Sequence, residues 1–270
     1  MALAGFQRAL AAIVMAPSLR AEVAALTPPE LPAALAGFEL TERERRRLHA
    51  VARDPGLKVT TVLHRATRLS MLTNTMPRTS RLLNEPGLRE LVYRFWREHP
   101  PTSIVYVREA TRFAQFLRGL LSSGEIIHAL LGEVLEAELA ILELGKAGRV
   151  APTSRAPPGK EALEEELEQA RPLLGPWCRV LPFRHEPLAV LRALDEDRTP
   201  TGLPEGEHYL VLECVGLGQV LPRGVEALRG RALMASTGER GVAALCAELG
   251  CTAELFLELA GQGLIQLHAP

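Results

Sequence analysis

Proline and glycine cut the first 147 residues into pieces of helical length, and this punctuation constrains the fold more than any motif does. Pro17 closes a first stretch in which Phe6, Leu10, Ile13 and Val14 recur at helical spacing, and Thr27-Pro28-Pro29 with Pro32 bars helix from the next connection. Thr41 and Glu44 form the pattern of a capping box, in which hydroxyl and carboxylate satisfy exposed N–H groups, so a helix is expected from Thr41 to about Arg53. Asp54-Pro55-Gly56 breaks it. The following helix places Leu57, Val59, Val62, Leu63, Ala66, Leu69 and Leu72 on one broad apolar face, which predicts that this face is core. Pro77 kinks or ends that helix, and Asn84-Glu85-Pro86-Gly87 turns the chain. Leu88, Leu91, Val92, Phe95 and Trp96 then make the next core stripe, and His99-Pro100-Pro101-Thr102-Ser103 is an obligatory loop. Phe113, Phe116 and Leu117 mark one more helix, and Glu125 to Leu144 a long one. The prediction for residues 1–147 is an up-and-down helical bundle.

The period changes after that. Residues 148–160, GRVAPTSRAPPGK, have the composition of a linker, and the acidic run EALEEELEQA predicts a solvated helix, so 148–172 reads as linker and acidic helix. Trp177 to Phe183 suggests a strand, and Glu207 to Val215 is the best strand in the chain. Gly216 to Gly218 reads as a hairpin turn into a short strand, Gln219 to Leu221. Helical segments follow near Val225–Leu228, Gly238–Leu249 and Thr252–Leu259, with a closing extended stretch, Leu264–Leu267. This order predicts a small α+β winged-helix-like domain over 173–270. The fold class is therefore mainly α, a helical bundle followed by that domain.

Charge divides the same way. Residues 1–150 carry 20 Lys and Arg against 15 Asp and Glu, and residues 151–270 carry 11 against 17, which together make the 31 and 32 of the whole chain and its net charge of -1. The densest basic cluster, Arg43, Arg45, Arg46 and Arg47 with His49, falls in the helical part, whereas the winged-helix-like part is acidic. A DNA-reading helix must approach phosphates closely, so this placement disfavours DNA. Cys178, Cys214, Cys246 and Cys251 form no CxxC pair and stand at no metal-ligand spacing with His. They read as small buried hydrophobes in a reducing compartment. The first residues lack the basic start of a signal peptide, and no apolar run approaches 18 residues, so the expectation is a cytoplasmic protein with no membrane partner.

Catalytic motifs are missing. The seven His include no HExxH, and there is no GxSxG, P-loop or GxGxxG. Glu133, Glu136, Glu138 and Glu143 look at first like iron ligands, but a ferritin-like site needs such glutamates in ExxH motifs and none of these four has His three residues on, which predicts a solvated helix face.

The first half nevertheless resembles a known family. FQRAL near the start, GLKVTTVLHRATRLSMLTNTMPRTSRLL, LRELVYRFWREHPPTS, FAQFL and LLGEVLEAELAIL are similar in order to the partner subunits of multinuclear non-heme iron-dependent oxidative enzymes, of the methanobactin partner type. HPPTS at 99–103 followed by FAQFL at 113–117 is the most specific part. The second half resembles these partners more loosely, through VLPFR, HYLVLE and ELFLELAGQGLIQL. Two departures stand out: Val62-Leu63-His64 where many members have an aromatic residue, and Glu138-Leu139 where they often have Trp.

The resemblance implies a non-catalytic subunit with no metal or cofactor of its own. The iron belongs to a separate oxidase with which it forms a heteromer. It also implies that the second domain holds the leader of a ribosomally made precursor peptide, in natural-product biosynthesis, while the helical domain docks on the enzyme through His99, Pro100, Pro101, Thr102 and Ser103 and an Arg-rich face. Strand order places the peptide groove between the Gln219–Leu221 strand and the Thr252–Leu259 helix, with Gln219, Val220, Leu221, Glu254 and Leu257 as the peptide-binding residues. The second reading is a winged-helix DNA-binding transcription regulator.

Overall fold

The computed structural model describes residues 2–27, 29–99, 106–147, 167–216 and 218–269. The chain is mainly helical with two small antiparallel sheets. Packing divides it into two compact units, one of Met1–Thr75 with Pro86–Phe113, the other of Met76–Glu85 with Ala114–Pro270.

The first unit holds α1 (Ala2–Met15), α2 (Pro17–Ala25), α3 (Leu31–Ala34), α4 (Glu42–Arg53), α5 (Pro55–Thr75), α7 (Glu85–Glu98) and the first half of α8 (Tyr106–Ser122). The capping box at α4 forms as expected: the Glu44 N–H donates to Thr41 Oγ1 at 3.3 Å, and the Thr41 N–H donates to Glu44 Oε2 at 2.8 Å. Ala9 and Ile13 of α1 meet Val23, Leu31, Leu35, Leu48 and Ala52 in one apolar cluster. The stripe expected on α7 is largely core, with Leu88, Val92, Phe95 and Trp96 buried and Phe95 edge-on to Phe113 at 5.3 Å.

The second unit is layered around one strand. It comprises α6 (Pro77–Leu82), the end of α8, α9 (Leu131–Ala147), β1 (Arg171–Leu174), β2 (Cys178–Phe183), α10 (Pro187–Asp195), β3 (His208–Cys214), β4 (Val220–Val225), α11 (Ala227–Ala235), α12 (Val242–Leu249), α13 (Ala253–Gly261) and β5 (Ile265–His268). Strands β2, β3 and β4 form a three-stranded sheet in that order, and β1 pairs with β5. Successive strand residues point to opposite faces. On one face Cys178, Val180, Tyr209 and Val211 join Leu233, Leu245, Phe256 and Leu259 from α11, α12 and α13. On the other, Phe183, Leu210, Leu212 and Cys214 join Ala137, Ala140 and Leu144 of α9 and Leu191 of α10. Burial on both faces is why HYLVLEC reads as an almost unbroken apolar run rather than an alternating one.

The compact units therefore do not divide at residue 147. The small side chains Ala137 and Ala140 bring α9 close against β2 and β3, and that contact groups it with the strands. The linker at 148–160 and the acidic run up to residue 166 lie outside the described residues.

A third consequence of the layering sits at Gly230, inside α11. A Cβ built there would lie 2.1 Å from the Tyr209 ring, so the helix reaches β3 only with no side chain at this position. Gly230→Ala is expected to destabilise the protein by about 1–3 kcal/mol despite the better helix propensity of alanine, as strain overrides propensity. Urea denaturation of the purified variant measures this, and an unchanged or raised midpoint would contradict the close approach.

Candidate functional site

Helix α5 buries only the ends of the face its sequence pattern marks as core. Leu57, Thr61, Arg65, Arg68 and Leu72, spaced four, four, three and four apart, form its inward stripe, and Thr61, Arg68 and Leu72 are fully buried. Val59, Val62 and Leu63, expected in the core, are 59%, 59% and 62% exposed. The inward polar groups are mostly provided for, with Arg65 Nε and Arg68 Nη1 buried and unpartnered among the described residues. The Thr61 hydroxyl donates to the Leu57 carbonyl at 2.8 Å, and Arg65 Nη2 donates to the Met15 carbonyl at 2.9 Å while its guanidinium lies over Tyr93.

Arg68 decides the orientation. Its guanidinium is 4% exposed and grips Glu109 of α8 in a two-pronged pair, Nε to Oε2 at 3.0 Å and Nη2 to Oε1. Trp96 of α7 donates from Nε1 to the same carboxylate at 2.7 Å and lies 4.5 Å beneath the guanidinium. A planar guanidinium satisfies both contacts at once, which an ammonium could not. Rotating α5 to bury Val59, Val62 and Leu63 would break this network and strand a buried carboxylate. His64, one turn before Arg68, is held below its ordinary pKa by burial and by the Arg68 charge, which favours the neutral ring beside the exposed stripe. α5 carries Lys58, His64, Arg65 and Arg68 and no acidic residue. The result is an exposed apolar stripe on α5, with Arg65 and Arg68 turned inward and Lys58 exposed.

The second candidate is the set of strand edges. The Cys214 N–H donates to the Trp177 carbonyl and the Val215 N–H to the Gln219 carbonyl. These two bonds fix which backbone groups point across each ladder. Leu212 pairs with Pro222 and Tyr209 with Pro182, and in both pairs the proline nitrogen faces away from β3. Proline there removes no ladder bond, and it leaves each outer edge of the three-stranded sheet without a donor in its middle. The β5 edge differs. Because the Gly175 N–H donates to the Leu264 carbonyl, Ile265 and Leu267 point their N–H and C=O groups away from β1, with no proline between them.

The expected peptide-binding residues scatter across this layout. Gln219 and Leu221 are exposed, whereas Val220 packs into the cluster with Leu210 and Leu212. Glu254 and Leu257 are exposed on α13, which packs against α12 and β5. Of the expected docking loop, His99 is exposed at the end of α7 with its ring 5.4 Å from Phe95, and Pro100, Pro101, Thr102 and Ser103 lie outside the described residues. Several arginines of the expected Arg-rich face are engaged in ion pairs. Arg78 pairs two-pronged with Asp195 at 2.8 and 2.9 Å, and Arg81 and Arg118 pair with Asp197 and Glu136.

Compared with known proteins, the chain matches no family profile and no curated protein.

Three of the α9 glutamates are structural partners, while Glu143 stays on a solvated face as expected. Glu136 holds Arg118, and Glu133 accepts from the Arg184 N–H at 3.0 Å. Glu138, fully buried, accepts from the N–H groups of Arg78 and Thr79 at 2.8 and 2.9 Å. Those are orphan donors of the first turn of α6, whose N-cap residue, Met76, has no side-chain oxygen to offer. Among the described residues, no group of three or more His, Cys, Asp or Glu is placed to hold a metal ion, and no helix is long and apolar enough to cross a membrane.

Two predictions follow from these buried carboxylates. Glu109→Ala leaves Arg68 buried and unpaired and is expected to cost about 3–5 kcal/mol, whereas Arg68→Met with Glu109→Leu is expected to recover most of it. Additive losses in a double-mutant cycle would contradict this. Burial raises the Glu138 pKa above 4.5 despite its hydrogen bonds. A raised folded value means that stability present below 4.5 is lost as pH climbs through the folded value. Glu138→Gln does not titrate, so wild type should lose ground to it between pH 4.5 and pH 7 in paired urea titrations; a pH-independent difference would contradict the shift.

Proposed function

We propose that this chain is a non-catalytic partner subunit that docks on a separate iron-dependent oxidase and presents a ribosomally made precursor peptide to it. The observation that carries the reading is the exposed Val59, Val62 and Leu63 stripe of α5, held outward by Arg68 and Glu109. Its occupant is a protein surface with an apolar centre; Arg65 and Arg68 are turned inward, and Lys58 is left to meet an acidic group beside it. The resemblance of HPPTS and FAQFL to the oxidase partners names the class of that protein.

The peptide is assigned to the second unit, in its winged-helix-like arrangement of sheet and C-terminal helices. Extended peptides bind by adding a strand to an open edge, where backbone bonds supply affinity. The proline-free edge of β5 supports pairing there better than the Gln219–Leu221 strand does, since Pro222 interrupts the β4 edge. Helix α13, with Glu254 and Leu257, flanks the same strand.

Co-expression with a candidate oxidase and its precursor peptide tests both parts. Val62→Asp with Leu63→Asp is expected to abolish co-purification of the oxidase while the variant stays folded, and Leu267→Pro to weaken peptide binding at least tenfold without loss of β1 pairing. Retention of both partners by the folded variants would overturn the reading. Salt-dependent binding of duplex DNA by the wild-type protein would replace it with the transcription regulator.

A further inference from the structure

Cys246 and Cys251 are five residues apart, yet the end of α12 brings their side chains together. Gly250 takes the left-handed conformation, φ 66 and ψ 39, which glycine adopts without steric penalty. The N–H groups of Gly250 and Cys251 both donate to the Cys246 carbonyl, at 2.9 and 3.2 Å. In a helix ending of this kind the residue after the glycine folds back over the residue that accepts its N–H, and the two side chains touch. That contact is ordinarily between hydrophobes. Here both partners are thiols, packed against the same apolar cluster and close enough for Cys251 to raise the Cys246 pKa. All four cysteines are free, but Cys178 and Cys214 are buried on opposite faces of the sheet, whereas Cys246 and Cys251 are partly exposed.

We propose that Cys246 and Cys251 are a thiol–disulfide site, closing to an intramolecular disulfide on reaction with a low-molecular-weight disulfide such as oxidised glutathione. The Cys251 thiolate attacks one sulfur of the oxidant and releases one glutathione. The Cys246 thiolate then attacks the Cys251 sulfur of the mixed disulfide and releases the second. Two protein thiols lose two electrons, one oxidised glutathione gains them, and the two protons leave with the two glutathione thiols.

The order of attack follows from the surroundings. Burial, and then the neighbouring Cys251 thiol, push the Cys246 thiol up to about 11, so it is a poor nucleophile toward a dilute oxidant. It becomes competent once the mixed disulfide is held against it, where proximity replaces concentration. The closed bond joins the end of α12 to the residue just before the N-cap of α13. These helices carry Leu245, Phe256 and Leu259 to the sheet, so oxidation staples that layer. The inference does not depend on peptide binding or on docking to an oxidase.

The test uses the full-length reduced chain incubated with oxidised glutathione, then alkylated and mapped by peptide mass spectrometry. The expected product is a monomer lacking two hydrogens, with Cys246 linked to Cys251, Cys178 and Cys214 alkylated after unfolding, and a higher thermal midpoint. Dithiothreitol should reverse both changes, and Cys178→Ser with Cys214→Ser should give the same product. Cys246→Ser should stop at a stable glutathione adduct on Cys251. A persistent adduct on the wild-type protein, disulfide-linked dimers, or a chain that keeps four free thiols would each overturn the proposal.

Discussion

Burial of β3 on both faces is the constraint on which the second unit rests. A strand that exposes no face must be covered twice, and the chain supplies the covers from distant parts of its sequence: α9 and α10 on one side, and α11, α12 and α13 on the other. The close contacts follow from that demand. Ala137 and Ala140 let α9 approach, Gly230 makes room for the Tyr209 ring, and Glu138 on the same α9 reaches across to cap α6. None of these residues is informative alone. Each is required once the layers are stacked.

The prolines in the strands obey the same geometry. Pro182 and Pro222 sit where a backbone nitrogen faces outward, and Pro172 of β1 pairs with Leu267 at a position whose carbonyl accepts from Gly238 on the other side. A central strand could not hold them. Their positions leave the β5 edge as the one on which both outward residues, Ile265 and Leu267, retain their donors, and this gives the peptide-binding proposal a physical basis beyond strand order.

In the first unit the governing interaction is electrostatic. A buried ion pair is weak evidence for stability, since desolvation offsets much of the attraction, but it specifies one arrangement strongly. Arg68, Glu109 and Trp96 fix the rotation of α5, and Val59, Val62 and Leu63 are left outside. Periodicity alone ranks Val59, Val62 and Leu63 as core because it weighs only hydrophobicity. It has no way of knowing that Arg68, further along the same helix, will find a carboxylate on α8.

Local signals determined the local features of this protein. The capping box at Thr41 and Glu44, the helix breaks at Asp54–Gly56 and Asn84–Gly87, the α7 core stripe and the hairpin at Gly216 and Gly218 are consequences of backbone chemistry within a few residues, and they are legible in the sequence. The Cys246 and Cys251 contact belongs with them in principle, since a glycine one residue before the second cysteine signals the helix ending that joins them, although spacing rules for metal sites pass it over. Only the tertiary structure decided which face of α5 turns outward, that α9 packs with the strands, and that Glu138 is buried. Those outcomes depend on partners 40 to 60 residues away, such as Glu109 for Arg68 and Thr79 for Glu138, and pairing at that distance leaves no periodic trace in the chain.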